Sequence, residues 1–173
     1  MTTIVMVENG DHVDVAFDSK VSAGFSHAEM EQSKVFEASG ILYGVAGALS
    51  VANAIEGTSV KPPKTNDPNE INKWVTFDLL GSIRKTLSRM QVNGRFQFPG
   101  EMLIVVKNRV YSIGPDYSRL RHTSGKYAIG SGGNFALGAL ANGASAEKAV
   151  QVAADHDVFT GHRVKSFEYV SPV

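Results

Sequence analysis

Two threonines stand directly behind the start methionine, and the stretch TTIVMVENGDHVDVAFDSK runs from them straight into apolar alternation. Removal of Met1, which aminopeptidases carry out where the second residue is small, gives Thr2 a free α-amine and a hydroxyl on adjacent carbons. Such a residue is a nucleophile with its own base, because the amine can take the hydroxyl proton directly or through one water. A free α-amine titrates at about 7.7–8.0. A neighbouring ammonium disfavours its protonated form, and a carboxylate would hold that ammonium in place. The chemistry therefore asks for a buried lysine and an aspartate near the first strand. Asp18, at the end of the second strand, and Lys34, at the start of a later one, have the required types. Residue type alone favours a plainer reading, with Asp18 capping a turn and Lys34 in water.

The elements that would position these groups are legible in outline. Residues 2–7 and 12–18 read as strands around Asn9-Gly10, a pair that tolerates positive φ in a tight turn. A short segment at 21–25 continues the sheet. Residues 34–37 and 41–46 form another pair, turned near Ser39-Gly40. GALSVANAI begins a helix, and the stretch after it, with Pro62, Pro63 and Pro68, forbids regular structure. A second helix starts near Asp67–Asn69, with apolar residues at Ile71, Trp74, Val75, Leu79, Leu80, Ile83 and Leu87, and ends at Gly94 and Pro99. MLIVV and RVYSIG make a hairpin around Lys107-Asn108. KYAIGSGGNFALGALANG reads as strand, glycine turn and helix. SAEKAVQVAADHDVF is a helix with Ser145 as N-cap, and HRVKSFEYV is a closing strand. Strands, two helices, strands, two helices and a strand make an α+β layered domain with antiparallel sheets and helices outside, spanning residues 1–173 without a linker or repeat.

Bulk composition narrows the partners. The 173 residues carry 17 Lys plus Arg against 17 Asp plus Glu, so formal net charge is zero. That balance gives no electrostatic case for nucleic acid or an anionic membrane, and it does little to oppose self-association. With no cysteine, disulfides and thiolate metal sites are excluded. No apolar run reaches the ~18 residues of a membrane span, and no signal peptide is evident, so a cytoplasmic protein is expected.

Several motifs together resemble the proteasome β-type subunits of the N-terminal nucleophile hydrolase superfamily, with the bacterial HslV protease subunit the nearest likeness. The opening TTIVMVENGDHVDVAFDSKVSAG, the spacings from Thr2 to Asp18 and to Lys34, GVAG at 44–47, AIGSGGNFALGA and AADHDVFTG occur in the family's order. The resemblance implies a four-layer αββα sandwich and a ring-forming homo-oligomer with enclosed active sites, fed by an ATP-driven unfoldase. It implies hydrolysis of peptide bonds in polypeptide substrates. Thr2 is then the nucleophile and base, Lys34 tunes the amine, Asp18 orients Lys34, and the Gly47 N–H donates to the oxyanion. Ser131, Asp157 and Thr160 support the amine and its water. The resemblance also implies a structural sodium or magnesium ion on the backbone carbonyls of Ala154, Asp157 and Thr160, and no cofactor for the chemistry itself. The alternative on the same fold is a catalytically silent ring- or tube-forming assembly protein that keeps Met1. A third reading is an N-terminal-threonine hydrolase acting on a small amide.

Other features have simpler explanations. His12, His27, His122, His156 and His162 show no helical ligand pairing, and Asp155-His156-Asp157 reads as a polar helix end. GSGG lacks the Lys-Ser/Thr of a phosphate loop and reads as a structural turn. RLRHTSGK is a solvated basic loop, and the stripe of Trp74, Leu80 and Leu87 is core or subunit interface.

Overall fold

A computed structural model of the chain describes residues 2–23, 26–29, 33–89, 100–161 and 163–172. Strands β1 (Thr3–Glu8) and β2 (Val13–Asp18) form an antiparallel pair. The turn between them spans residues 9–12, with the Asn9 N–H donating to the His12 carbonyl and Gly10 at φ 82°. Strand β3 (Lys20–Ala23) pairs with β4 (Ser26–Glu29) in a separate two-stranded ribbon. The expected continuation of the main sheet at 21–25 is therefore not formed by its described residues, which turn away to pair with each other. Strands β5 (Val35–Ala38) and β6 (Ile41–Gly47) make the next hairpin.

Helix α1 (Leu49–Glu56) follows, then an irregular, proline-bearing stretch. Helix α2 (Pro68–Trp74) begins where the Asp67 side chain accepts the Asn69 N–H at 2.7 Å, with Pro68 in the first turn, the position where a missing N–H costs nothing. One π-helical turn at Val75–Leu79 links it to α3 (Leu80–Arg89). The expected end of this helix at Gly94 and Pro99 lies outside the described residues. Strands β7 (Gly100–Val106), β8 (Arg109–Ile113), the short β9 (Arg119–Leu120) and β10 (Lys126–Gly130) come next. Helices α4 (Gly133–Ala141) and α5 (Ala146–His156) precede the last strand, β11 (Val164–Tyr169). Ser145 caps α5 by accepting the Lys148 N–H at 3.2 Å.

The two main sheets run β10-β1-β2-β11 and β5-β6-β7-β8-β9. Alternation decides how they stack. Ile4, Met6, Val15 and Phe17 of the first sheet meet Leu42, Leu103 and Val105 of the second in a core between the sheets. The intervening residues, Val5 and Ala16, face Ala136, Leu140, Ala149, Val150 and Ala153 of α4 and α5. On the far side Tyr43, Met102, Ile104 and Val106 pack on Val51, Ile55, Ile71, Leu79, Ile83 and Leu87 of the other helices. Strands buried on both faces need apolar residues at both parities, which is why MLIVV carries no polar alternation. The result is an α+β, four-layer αββα sandwich. Among the described residues no helix is long and apolar enough to cross a membrane.

Candidate active site

The site lies at one end of the sandwich, where the two sheets present strand ends side by side. Thr2 immediately precedes β1. The register that sets Ile4 against Phe17 brings the start of β1 beside Asp18 at the end of β2. Lys34 arrives from the other sheet, where its carbonyl accepts the Val45 N–H at 3.0 Å and extends the β5–β6 ladder by one residue.

Asp18 is fully buried and joins these parts. Its Oδ1 accepts from the Thr2 hydroxyl at 2.6 Å, the Thr3 N–H at 2.8 Å and the Lys34 ammonium at 2.9 Å. Its Oδ2 accepts the Gly161 N–H at 2.9 Å and the Lys20 N–H at 3.2 Å. A carboxylate offers about four lone-pair positions, so these five donors saturate it. Burial is the largest influence on Lys34 and draws its pKa below the ordinary lysine range, with the Lys20 cation acting in the same direction; the Asp18 charge and hydrogen bond oppose both. A buried ammonium is tolerable only with such a partner.

A second set of hydrogen bonds sits at the end of α5. Asp157 is the residue that terminates this helix. Its Oδ2 accepts from the Ser131 and Thr160 hydroxyls, each at 2.6 Å, and its Oδ1 accepts the Phe159 N–H at 3.2 Å. Since the Thr160 proton goes to Asp157, the 2.7 Å contact between the Thr3 and Thr160 hydroxyls has Thr3 as donor. Desolvation works to raise the Asp157 pKa, but the hydrogen bonds from Ser131, Thr160 and Phe159 outweigh it and hold the carboxyl below its usual range.

Thr3 links the two sets, with its N–H on Asp18 and its hydroxyl on Thr160. Sequence reasoning singled out Thr2 and not Thr3. Strand alternation carried the missing signal, since adjacent residues point to opposite faces and Thr3 faces the α5 side. Two glycines make room for this packing. A Cβ at Gly132 would lie 2.2 Å from Thr3 Oγ1 and 2.8 Å from Thr160 Oγ1. Gly130, at φ +89°, sits so close to Thr2 that its Cβ would lie 1.9 Å from the Thr2 carbonyl oxygen. Its N–H donates to Glu101 at 2.8 Å, a second contact that no motif announced.

Of the expected site residues, Thr2, Asp18 and Lys34 share one carboxylate oxygen, and Ser131, Asp157 and Thr160 form the adjoining network. Gly47 belongs to neither. It closes β6 at the same end of the sandwich, exposed, paired with Gly100 and at φ 149°. Met1 lies outside the described residues. The Asp157 carbonyl accepts the Thr160 N–H at 3.0 Å.

No protein-family model and no curated protein matches the chain. Its fold has clear counterparts. A structure of Thiobacillus denitrificans BPH in complex with epoxomicin matches with a TM-score of 0.77 at 18% identity, over 99% of this chain and 100% of that one. Another structure of the same BPH gives a TM-score of 0.78 at 17% identity, over 98% of both chains. Eukaryotic HslV from Trypanosoma brucei gives 0.68 at 22% identity, over 97% of this chain and 99% of that one. The chain thus has the HslV-type, proteasome-like fold along essentially its whole length. At these identities the likeness establishes the fold, and function has to be argued from the site.

Proposed function

We propose that this chain is the threonine peptidase subunit of a self-compartmentalising ring protease, with Thr2 exposed as the N-terminal residue by removal of Met1. One observation carries the reading: the Thr2 hydroxyl and the Lys34 ammonium meet on the same oxygen of a buried carboxylate. A structural role for Asp18 alone would not require a nucleophilic hydroxyl and a buried cation side by side.

In the reaction, Thr2 Oγ bonds to the peptide carbonyl carbon as its proton passes to the freed α-amine. The carbonyl oxygen takes the negative charge, and the N–H of Gly47, an exposed residue, is the donor assigned to it. One such donor contributes about 3–4 kcal/mol to the transition state. The C–N bond then breaks, the leaving amine takes the proton, and an ester remains on Thr2. Water, deprotonated by the same amine, cleaves that ester and restores the hydroxyl. Lys34 keeps the amine towards neutrality by its charge. Asp18 fixes Lys34, and the Ser131–Asp157–Thr160 network supports the amine and its water.

Assembly into a homo-oligomeric ring is part of the proposal. Leu49 and Phe77, on the α1–α3 layer, and Phe135 and Phe159, at α4 and after α5, leave large apolar side chains in water, and subunit contacts would cover them. A chamber of this kind takes unfolded polypeptide, supplied by an ATP-driven unfoldase in the cytoplasm. The backbone carbonyls of Ala154, Asp157 and Thr160, at and after the end of α5, are assigned to a hard cation such as sodium or magnesium, for which carbonyl oxygens are suitable ligands. Such an ion would be structural and takes no part in the steps above.

Thr2→Ala tests the reading. The variant should keep its fold and assembly and lose turnover of fluorogenic peptides. Turnover at the wild-type rate would refute the assignment.

A further inference from the structure

At the opposite end of β2 from Asp18, three side chains converge that the chemistry above does not use. His12, Asp14 and Glu168 each place one ligand-type atom within 4.8 Å of the others. Asp14 and Glu168 are direct cross-strand partners on β2 and β11, an arrangement in which two like charges repel. His12 enters from the turn that precedes β2.

The hydrogen bonds around the cluster fix which atoms face it. His12 Nδ1 lies 2.8 Å from Asp11 Oδ1. The carboxylate can only accept, so Nδ1 carries a proton and Nε2 is the ring nitrogen turned toward the cluster. That nitrogen lies 3.5 Å from Asp14 Oδ1. The other Asp14 oxygen is already bound by the Asn9 side-chain amide at 2.5 Å. His12 Nε2 and Asp14 Oδ1 thus face each other across the cluster. At 3.5 Å they are too far apart for a good hydrogen bond, but close to the spacing of about 3.3 Å that tetrahedral ligands take around one zinc ion. An imidazole whose far N–H is held by a carboxylate is also the arrangement metal-bound histidines adopt.

We propose that His12 Nε2, Asp14 Oδ1 and a Glu168 carboxylate oxygen form a site for a borderline-soft divalent cation of the zinc, nickel or cobalt class, with Asp11 holding the imidazole in its ligating tautomer. Water fills the remaining positions, since the side chains lie at the surface. The ion would bridge the β1–β2 turn, β2 and β11. Because β11 is the edge strand of its sheet, the site fastens the last strand to the body of the fold. It needs neither the peptidase reaction nor Thr2.

Isothermal titration of the full-length protein with zinc chloride at about pH 8, above the ordinary imidazole range, tests this. One saturable equivalent per chain is expected, accompanied by a rise in the thermal midpoint, whereas magnesium chloride at equal concentration should give neither. His12→Gln and Glu168→Gln should abolish the binding. Asp11→Asn should weaken it about 10–100-fold, as removal of an outer-shell partner does. Glu168 is exposed on an edge strand, so its variant will fold even if His12→Gln does not. Absence of a saturable event in the wild type, equal binding of magnesium, or zinc binding unchanged in Glu168→Gln would overturn the proposal.

Discussion

Thr2 and Lys34 donate to the same atom, Oδ1 of Asp18, at 2.6 and 2.9 Å. Thr2 stands before the first strand of one sheet and Lys34 before the first strand of the other. The shared oxygen therefore ties the chemistry to the way the two sheets are stacked.

Removing that anion should cost more than removing the cation. Asp18→Asn leaves Lys34 buried without a counter-charge, a loss on the order of 3–5 kcal/mol. Lys34→Met removes the buried charge and leaves Asp18 with its remaining donors. Urea unfolding should rank Asp18→Asn as the less stable of the two, and both should lose peptide hydrolysis. The reverse ranking would contradict the reading of Asp18 as the joint between the sheets.

The glycine turn next to Thr3 should be intolerant of a single methyl group. Gly132→Ala places a Cβ 2.2 Å from Thr3 Oγ1, which overpacks the junction at a cost of about 1–3 kcal/mol and separates Thr3 from Thr160. Gly130→Ala should be worse, because its conflict at 1.9 Å is with the Thr2 backbone oxygen and its φ is +89°. Thermal unfolding of the two variants should show that order, with activity falling in both.

Asp157 sets an acid limit. Its native pKa lies below the ordinary value, so just under that value the unfolded chain binds more protons than the native one, and stability rises with pH. The contribution is complete above the unfolded pKa and is lost as pH falls through the depressed native one. In Asp157→Asn this loss is absent. Thermal midpoints followed from about pH 5 to pH 2 should fall less steeply in the variant than in the wild type. Parallel curves would show that Asp157 is not held as an anion by Ser131 and Thr160.

Much of this arrangement was visible in the sequence. The β1–β2 pair, the helix start near Asp67, the Ser145 cap and the Lys107-Asn108 turn follow from local chemistry, because each depends on neighbours a few residues away. Asking what a threonine with a free amine requires pointed to Asp18 and Lys34, but residue type alone favoured a plain turn cap and a solvated lysine, and the family resemblance was needed to select them. Ser131, Asp157 and Thr160 were reached only through a family resemblance, since no periodicity connects a strand-to-helix turn with the end of a later helix. The π-helical turn at Val75–Leu79 was hidden because apolar residues before and after it still fit a helical stripe. The small and polar residues of β3 gave no sign that it would leave the sheet to pair with β4. Thr3 was overlooked because alternation assigns it a face without saying what waits there.

Phe77 is 75% exposed on the π-helical turn, and burial of its ring in a neighbouring subunit is expected. Phe77→Glu should lower the molar mass seen by light scattering while leaving the circular dichroism of the chain unchanged. An unaltered mass in both Phe77→Glu and Phe77→Glu/Leu49→Glu would rule out an interface through this layer.

The central claim is that Thr2 becomes the first residue, with hydroxyl and amine both available for reaction. Intact-mass spectrometry of the protein from its native host, before and after exposure to an epoxyketone that must react with both groups, tests it most directly. The account predicts a chain lacking Met1 that gains one inhibitor, with the adduct mapped to Thr2. A chain that keeps Met1 and gains no inhibitor would contradict it.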